Sequence, residues 1–139
     1  MKEEALTEEL IGIFYAVYND LGHGFLESIY RKAFALQLTR KGIAFEQQKE
    51  IHYLGVDLGQ FFADLVVPSS VILELKAVAA LEKAHERQLL NYLRVSEIEV
   101  GLLLNFGPKP QIRRMIFDNK KKLEQRSAIS DNPKHENSQ

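Results

Sequence analysis

Glu74 and Lys76 stand two apart in the run Val71-Ile72-Leu73-Glu74-Leu75-Lys76-Ala77. On a β-strand that spacing puts both on one face and Leu73 and Leu75 on the other. Asp64 lies in the preceding apolar run, Phe61 to Val67, and its expected face carries Phe62 and Val66. A hairpin between the two runs sets Asp64 beside Glu74. Two carboxylates at close range disfavour each other's ionised form, and a divalent cation removes that penalty. Hard oxygen ligands suit Mg2+ or Mn2+. The lysine alongside supplies positive charge for an attacking hydroxide or a developing phosphorane-like oxygen. Taken alone, the same residues also describe a solvated strand face with a cross-strand ion pair.

A second group follows downstream. His85, Gln88 and Tyr92 are spaced by three and four, which gathers them on one face of a helix, with Leu89 and Leu93 on the adjacent stripe. All three are candidate substrate-binding residues. Singly, His85 reads as a surface or capping histidine, and Gln88 with Tyr92 as a polar helix shoulder. Upstream, Glu27 sits where a helix opens, in Gly24-Phe25-Leu26-Glu27-Ser28-Ile29-Tyr30. It either serves the helix dipole or aims a further acidic group at the metal site.

These side chains need a scaffold to converge. Residues 7–21 predict a helix capped by Thr7, with Leu10, Phe14 and Val17 recurring at helical spacing. A second helix runs from Phe25 to Lys41, with Ile29, Ala33, Phe34 and Leu38 on one stripe and Gly42 as its stop. Residues 44–54, 61–67 and 71–77 predict a meander of three strands, and 81–95 return to helix. Val100 to Phe106 is a near-continuous apolar run, as a buried strand would be, and Ile112 to Phe117 a short last strand. The order indicates an α/β fold with a mixed central sheet flanked by helices.

At 139 residues with 45% hydrophobic and 27% charged side chains, the chain has room for one real core. Cysteine is absent, which excludes disulfides, thiolate nucleophiles and cysteine-ligated metals. The net charge of −1 speaks against a general nucleic-acid coat. No stretch approaches the roughly 18 apolar residues of a membrane span, and the acidic start lacks the order of a secretory signal. A cytoplasmic location is the expectation. From Asp118 onward polar residues dominate, so residues 1–117 are expected to form the domain and 118–139 a disordered tail. Within that tail, Lys120-Lys121-Lys122 invites a phosphate-binding reading that a solvated tail does not require.

A helix Glu, a strand Asp, a strand Glu-x-Lys and a helix Gln-x-x-x-Tyr, in the order αβββαβ, resemble the PD-(D/E)XK nuclease superfamily with its restriction-endonuclease-like core. More narrowly, the chain is similar to the small bacterial GxxExxY proteins, whose motif Gly24, Glu27 and Tyr30 match. The resemblance runs from about Leu10 to Phe117. It includes Val71 to Val78, Gly101 to Gly107, and Gln88 to Leu93, which matches the helix motif of the superfamily's recombination-nuclease branch. One departure is Phe62, where relatives often carry a basic residue two before the Asp.

The resemblance implies that Asp64, Glu74 and the backbone carbonyl of Leu75 bind Mg2+ or Mn2+. Lys76 would orient or activate water, Glu27 would hold a metal-bound water or a second ion, and Gln88 and Tyr92 would place the scissile strand. The implied reaction is phosphodiester hydrolysis in nucleic acid, DNA ahead of RNA, with no membrane partner and a homodimer left open. Two other classes stay in view. One is a non-catalytic nucleic-acid- or protein-binding module on the same fold, which the near-neutral charge and small size favour. The other is a metal-dependent hydrolase of a small phosphorylated molecule.

Overall fold

The structure, a computed structural model, describes residues 2–130. Leu10, Ile13, Phe14 and Val17 share a helical face, and all are buried in α1 (Glu4–Leu21). The helix starts a turn earlier than expected. Thr7 lies inside it, its hydroxyl donating back to the Glu3 carbonyl rather than capping the end. Helix α2 (Glu27–Arg40) buries Tyr30, Phe34 and Leu38, whereas Ile29, expected on that stripe, is exposed. Its end matches the expected stop. Gly42 takes φ 71°, its N–H bonds to the Thr39 carbonyl, and that of Ile43 bonds to the Leu38 carbonyl, a Schellman closure.

Among the described residues five strands form one sheet in the order β1 (Glu46–Tyr53), β2 (Val56–Val67), β3 (Val71–Lys76), β4 (Val100–Phe106), β5 (Pro110–Ile116). β3 and β4 are parallel and every other neighbouring pair is antiparallel, so the sheet is mixed, as expected. A parallel pair needs a crossover, and α3 (Lys83–Val95) supplies it. Each residue of β4 is buried, as its apolar run required. Helices α1 and α2 cover one face, over Leu65, Leu73, Leu75 and Leu104. Leu89 and Leu93 of α3 cover the other, over Val66, Ile72 and Leu103. Gly101 sets how closely α3 sits, because a Cβ there would stand 2.7 Å from Leu89 Cδ1.

The chain beyond the last strand corrects an expectation. Residues 119–130 are not a disordered tail but helix α4 (Asn119–Ser130). Its first turn is tied down by Lys122, whose ammonium is buried and donates to the Ser96 and Ile98 carbonyls at 2.9 and 2.8 Å. The rest of the expected tail, 131–139, lies outside the described residues. No helix among them is long and apolar enough to cross a membrane.

Candidate active site

Strand β2 loses its regularity at Asp64. Toward β1 the register steps from Gln48/Phe62 to Glu46/Val66, so β2 advances further than β1 over this stretch. Toward β3 the ladder runs only from Val67/Val71 to Leu65/Leu73. The side chains record the slip. Phe61, Ala63 and Val66 pack under α3, while Leu65 and Val67 pack under α1 and α2. Alternation thus changes phase beside Asp64, a bulge of the kind that re-aims a side chain. Phe62 and Val66 therefore point to opposite faces, which corrects the expectation that Asp64 shares one face with both.

Re-aimed, Asp64 reaches β3. Its Oδ2 accepts a hydrogen bond from the Leu75 N–H at 2.7 Å. Leu75 lies between Glu74 and Lys76, and its own side chain belongs to the core. Ile72 faces α3, so by alternation Glu74 and Lys76 do too.

Glu74 is only 6% exposed. Burial, then the negative charge of Asp64, push its pKa up to about 8, against the opposing pull of the Lys76 ammonium. Among the described residues its Oε1 has no hydrogen-bond partner. An orphaned buried carboxylate oxygen beside a second carboxylate fits a hard divalent cation, with backbone carbonyl or water completing the shell. A cage of three side chains is absent: no group of three or more His, Cys, Asp or Glu among the described residues could hold a metal ion. Glu27 is half-buried at the first position of α2.

The same helix brings a residue that sequence reasoning missed. Arg31, one turn beyond Glu27, places Nη1 3.2 Å from Asp64 Oδ1. Its signal was the i, i+4 spacing from Glu27. A cleft of about 290 Å³ opens here, lined by Arg31, Gln47, Phe62, Ala63 and Asp64. Tyr30 is structural. It is fully buried, stacks on Phe106 at 4.2 Å, donates to the Gly22 carbonyl and accepts from the Phe25 N–H. It therefore holds the loop from which Glu27 and Arg31 enter.

Helix α3 closes the α3-side face. Gln88 Nε2 donates to Tyr92 Oη at 2.9 Å, and the Tyr92 ring stacks on Phe61 with centroids 4.3 Å apart. Burial and then the charge of Glu74 push the Tyr92 phenol up. His85 is turned to another use: its Nδ1 accepts from the Glu82 N–H and completes a capping box. Buried Asn105, paired with Lys76 across the ladder, clasps the Val78 N–H and carbonyl and so fixes the chain just past Lys76. A larger cleft of about 370 Å³ lies among Glu46, Lys49, Glu50, His52, Gln60 and Glu97 and includes none of the predicted site residues.

A sequence profile of the PD-(D/E)XK nuclease superfamily matches residues 4–115. Among solved structures, the crystal structure of SSO0001 matches at 20% sequence identity and a TM-score of 0.49, over 94% of this chain and 70% of that one. No curated protein matches.

Proposed function

The chain belongs to the PD-(D/E)XK nuclease superfamily, and from that premise we propose that it is a Mg2+- or Mn2+-dependent nuclease cleaving DNA or RNA. Within the superfamily we place it with the GxxExxY proteins, on Gly24, Glu27 and Tyr30. The observation that carries the reading is the convergence of Asp64 on the Glu74–Leu75–Lys76 backbone, with Glu74 Oε1 buried and unpartnered.

Asp64, Glu74 and the Leu75 carbonyl would hold the cation. Bound there, it would supply a Lewis acid and lower the pKa of water. Lys76 orients the attacking water and offsets the charge that grows on the phosphoryl oxygens. Water adds to phosphorus and gives up a proton to solvent as the bond to the leaving sugar oxygen breaks, and that oxygen takes a proton from solvent. Glu27, one turn before Arg31 on α2, would hold a metal-bound water, while Gln88 and Tyr92 on α3 guide the strand.

One observation favours the non-catalytic reading: Arg31 already meets the charge of Asp64. The test incubates the protein with single-stranded, duplex and nicked DNA and with RNA, plus Mn2+ or Mg2+. Cleavage that chelation stops, and that Lys76→Ala loses, supports the nuclease. Retention of nucleic acid without metal and without cleavage supports the binding module.

A further inference from the structure

Phe62 is 70% exposed, on the strand that carries Asp64 and in the wall of the same cleft. Its orientation is built in. Phe61 is turned the other way and locked against Tyr92 with ring planes 8° apart, so alternation holds Phe62 outward. The backbone of Phe62 pairs with Gln48 on β1 just before the bulge. An outward aromatic ring on a paired strand is a fixed platform rather than a loose side chain.

The other walls are chemically complementary to one kind of ligand. Arg31 brings a guanidinium, which suits a phosphate. Gln47 brings an amide that can read a base edge. Phe62 brings a π-face on which a nucleobase stacks. Phe62 and Asp64 stand two residues apart and line the same cleft, so a base on the ring lies next to the carboxylate. Duplex bases are already stacked on both sides and would first have to be extruded. An unpaired base needs no such step.

Resting on the nuclease reading, we propose that the Phe62–Arg31 cleft is a subsite for one unpaired nucleotide next to the scissile phosphate. The base stacks on Phe62 and its phosphate meets Arg31. The substrate class is single-stranded nucleic acid, or a strand locally unpaired at the cleavage position.

The chain contains no tryptophan, so Phe62→Trp puts a single, selectively excitable indole at the platform. The variant is titrated in chelator, which blocks turnover, with oligothymidylate, oligouridylate and a blunt duplex. Saturable quenching by a single-stranded probe, at least about tenfold tighter than by duplex, is the expected result, and comparing the two single strands separates DNA from RNA. In anisotropy titrations Phe62→Ala should weaken single-strand binding about 5- to 100-fold, Phe62→Tyr should restore it, and Phe62→Leu should not. Equal quenching by duplex, unchanged binding by Phe62→Ala, or an altered oligomeric state in place of altered binding overturns the subsite. The nuclease reading fails separately, as quenching that persists in a protein with no metal-dependent cleavage. Metal-dependent cleavage with no quenching removes the subsite and leaves the nuclease.

Discussion

Asp64 and Leu75 are joined side chain to backbone, the carboxylate Oδ2 standing 2.7 Å from the Leu75 N–H. The bond lies where the ladder between their strands has already ended at Leu65/Leu73. A side chain thus replaces a main-chain partner just past the end of the ladder and ties the carboxylate to β3. Glu74 and Lys76 flank the donor, so this one bond sets both beside Asp64. Stability and metal response are therefore expected to be coupled at this point.

The first expectation concerns pH without metal. In the folded chain Glu74 keeps its proton up to about 8, whereas its ordinary value is 4.5. Unfolded chains thus lose this proton first as pH rises. Stability contributed at low pH is lost between those two values, by at most about 1.4 kcal/mol per pH unit. Urea denaturation in chelator from pH 4 to 9 measures it. Glu74→Gln should flatten the slope and be the more stable protein near pH 8. A parent no more pH-sensitive than the variant contradicts the buried-proton assignment.

Metal should compete with that proton. Below about pH 8, affinity for Mg2+ or Mn2+ should rise by up to about tenfold per pH unit. A free concentration tenfold above Kd should add about 1.4 kcal/mol of stability. Asp64→Asn keeps an oxygen for the Leu75 N–H but loses one charge, so most of the metal-induced gain in Tm should vanish. Monovalent salt at matched ionic strength is the control; an equal gain there would reduce the effect to screening.

Lys76→Ala should separate chemistry from binding. Loss of one charge partner of the transition state should lower the cleavage rate about 10²–10³-fold, while metal still raises Tm. Because the Lys76 charge holds the Glu74 pKa down, its removal should also move the pH dependence of metal binding upward. Cleavage at the parent rate with an unmoved pH profile would remove Lys76 from the site.

Legibility followed the strength of the local pattern. The uninterrupted apolar run of β4, the helical spacing in α3 and the Gly42 stop each carry a period or a residue with one structural meaning, and the structure has them at or near the expected bounds. The bulge at Asp64 left no such mark. Phe61, Phe62 and Ala63 are all apolar, so the sequence hides which face each takes, and the slip arises from pairing with β1. Arg31 lay on a polar helix surface, where a charge ordinarily faces water. Glu27 has a helix start that accounts for it. His85 had both readings open, and the capping one is what the geometry displays.

Lys122 offers the last test, because it reverses the simplest reading of Lys120-Lys121-Lys122. Lys120 and Lys121 are exposed, but Lys122 is 4% exposed, and its ammonium lies 5.8 Å from the centre of the Phe117 ring. The two carbonyls it bonds, those of Ser96 and Ile98, come from the connection between α3 and β4. Charged hydrogen bonds of this kind contribute about 1.5–3 kcal/mol each, less whatever water recovers when they break. Lys122→Ala should therefore lower stability by roughly 1–3 kcal/mol in urea denaturation, against within about 0.5 kcal/mol for Lys120→Ala or Lys121→Ala. Truncation after Phe117 should cost at least as much, because it also uncovers the Phe117 ring. Nucleic-acid affinity and its salt dependence should respond in the opposite order: a buried ammonium that faces two carbonyls releases no counterions, so Lys122→Ala should leave the salt slope where it was. A salt slope that drops by about one in Lys122→Ala, with stability unchanged, would place this lysine on the nucleic acid and undo the docking of α4.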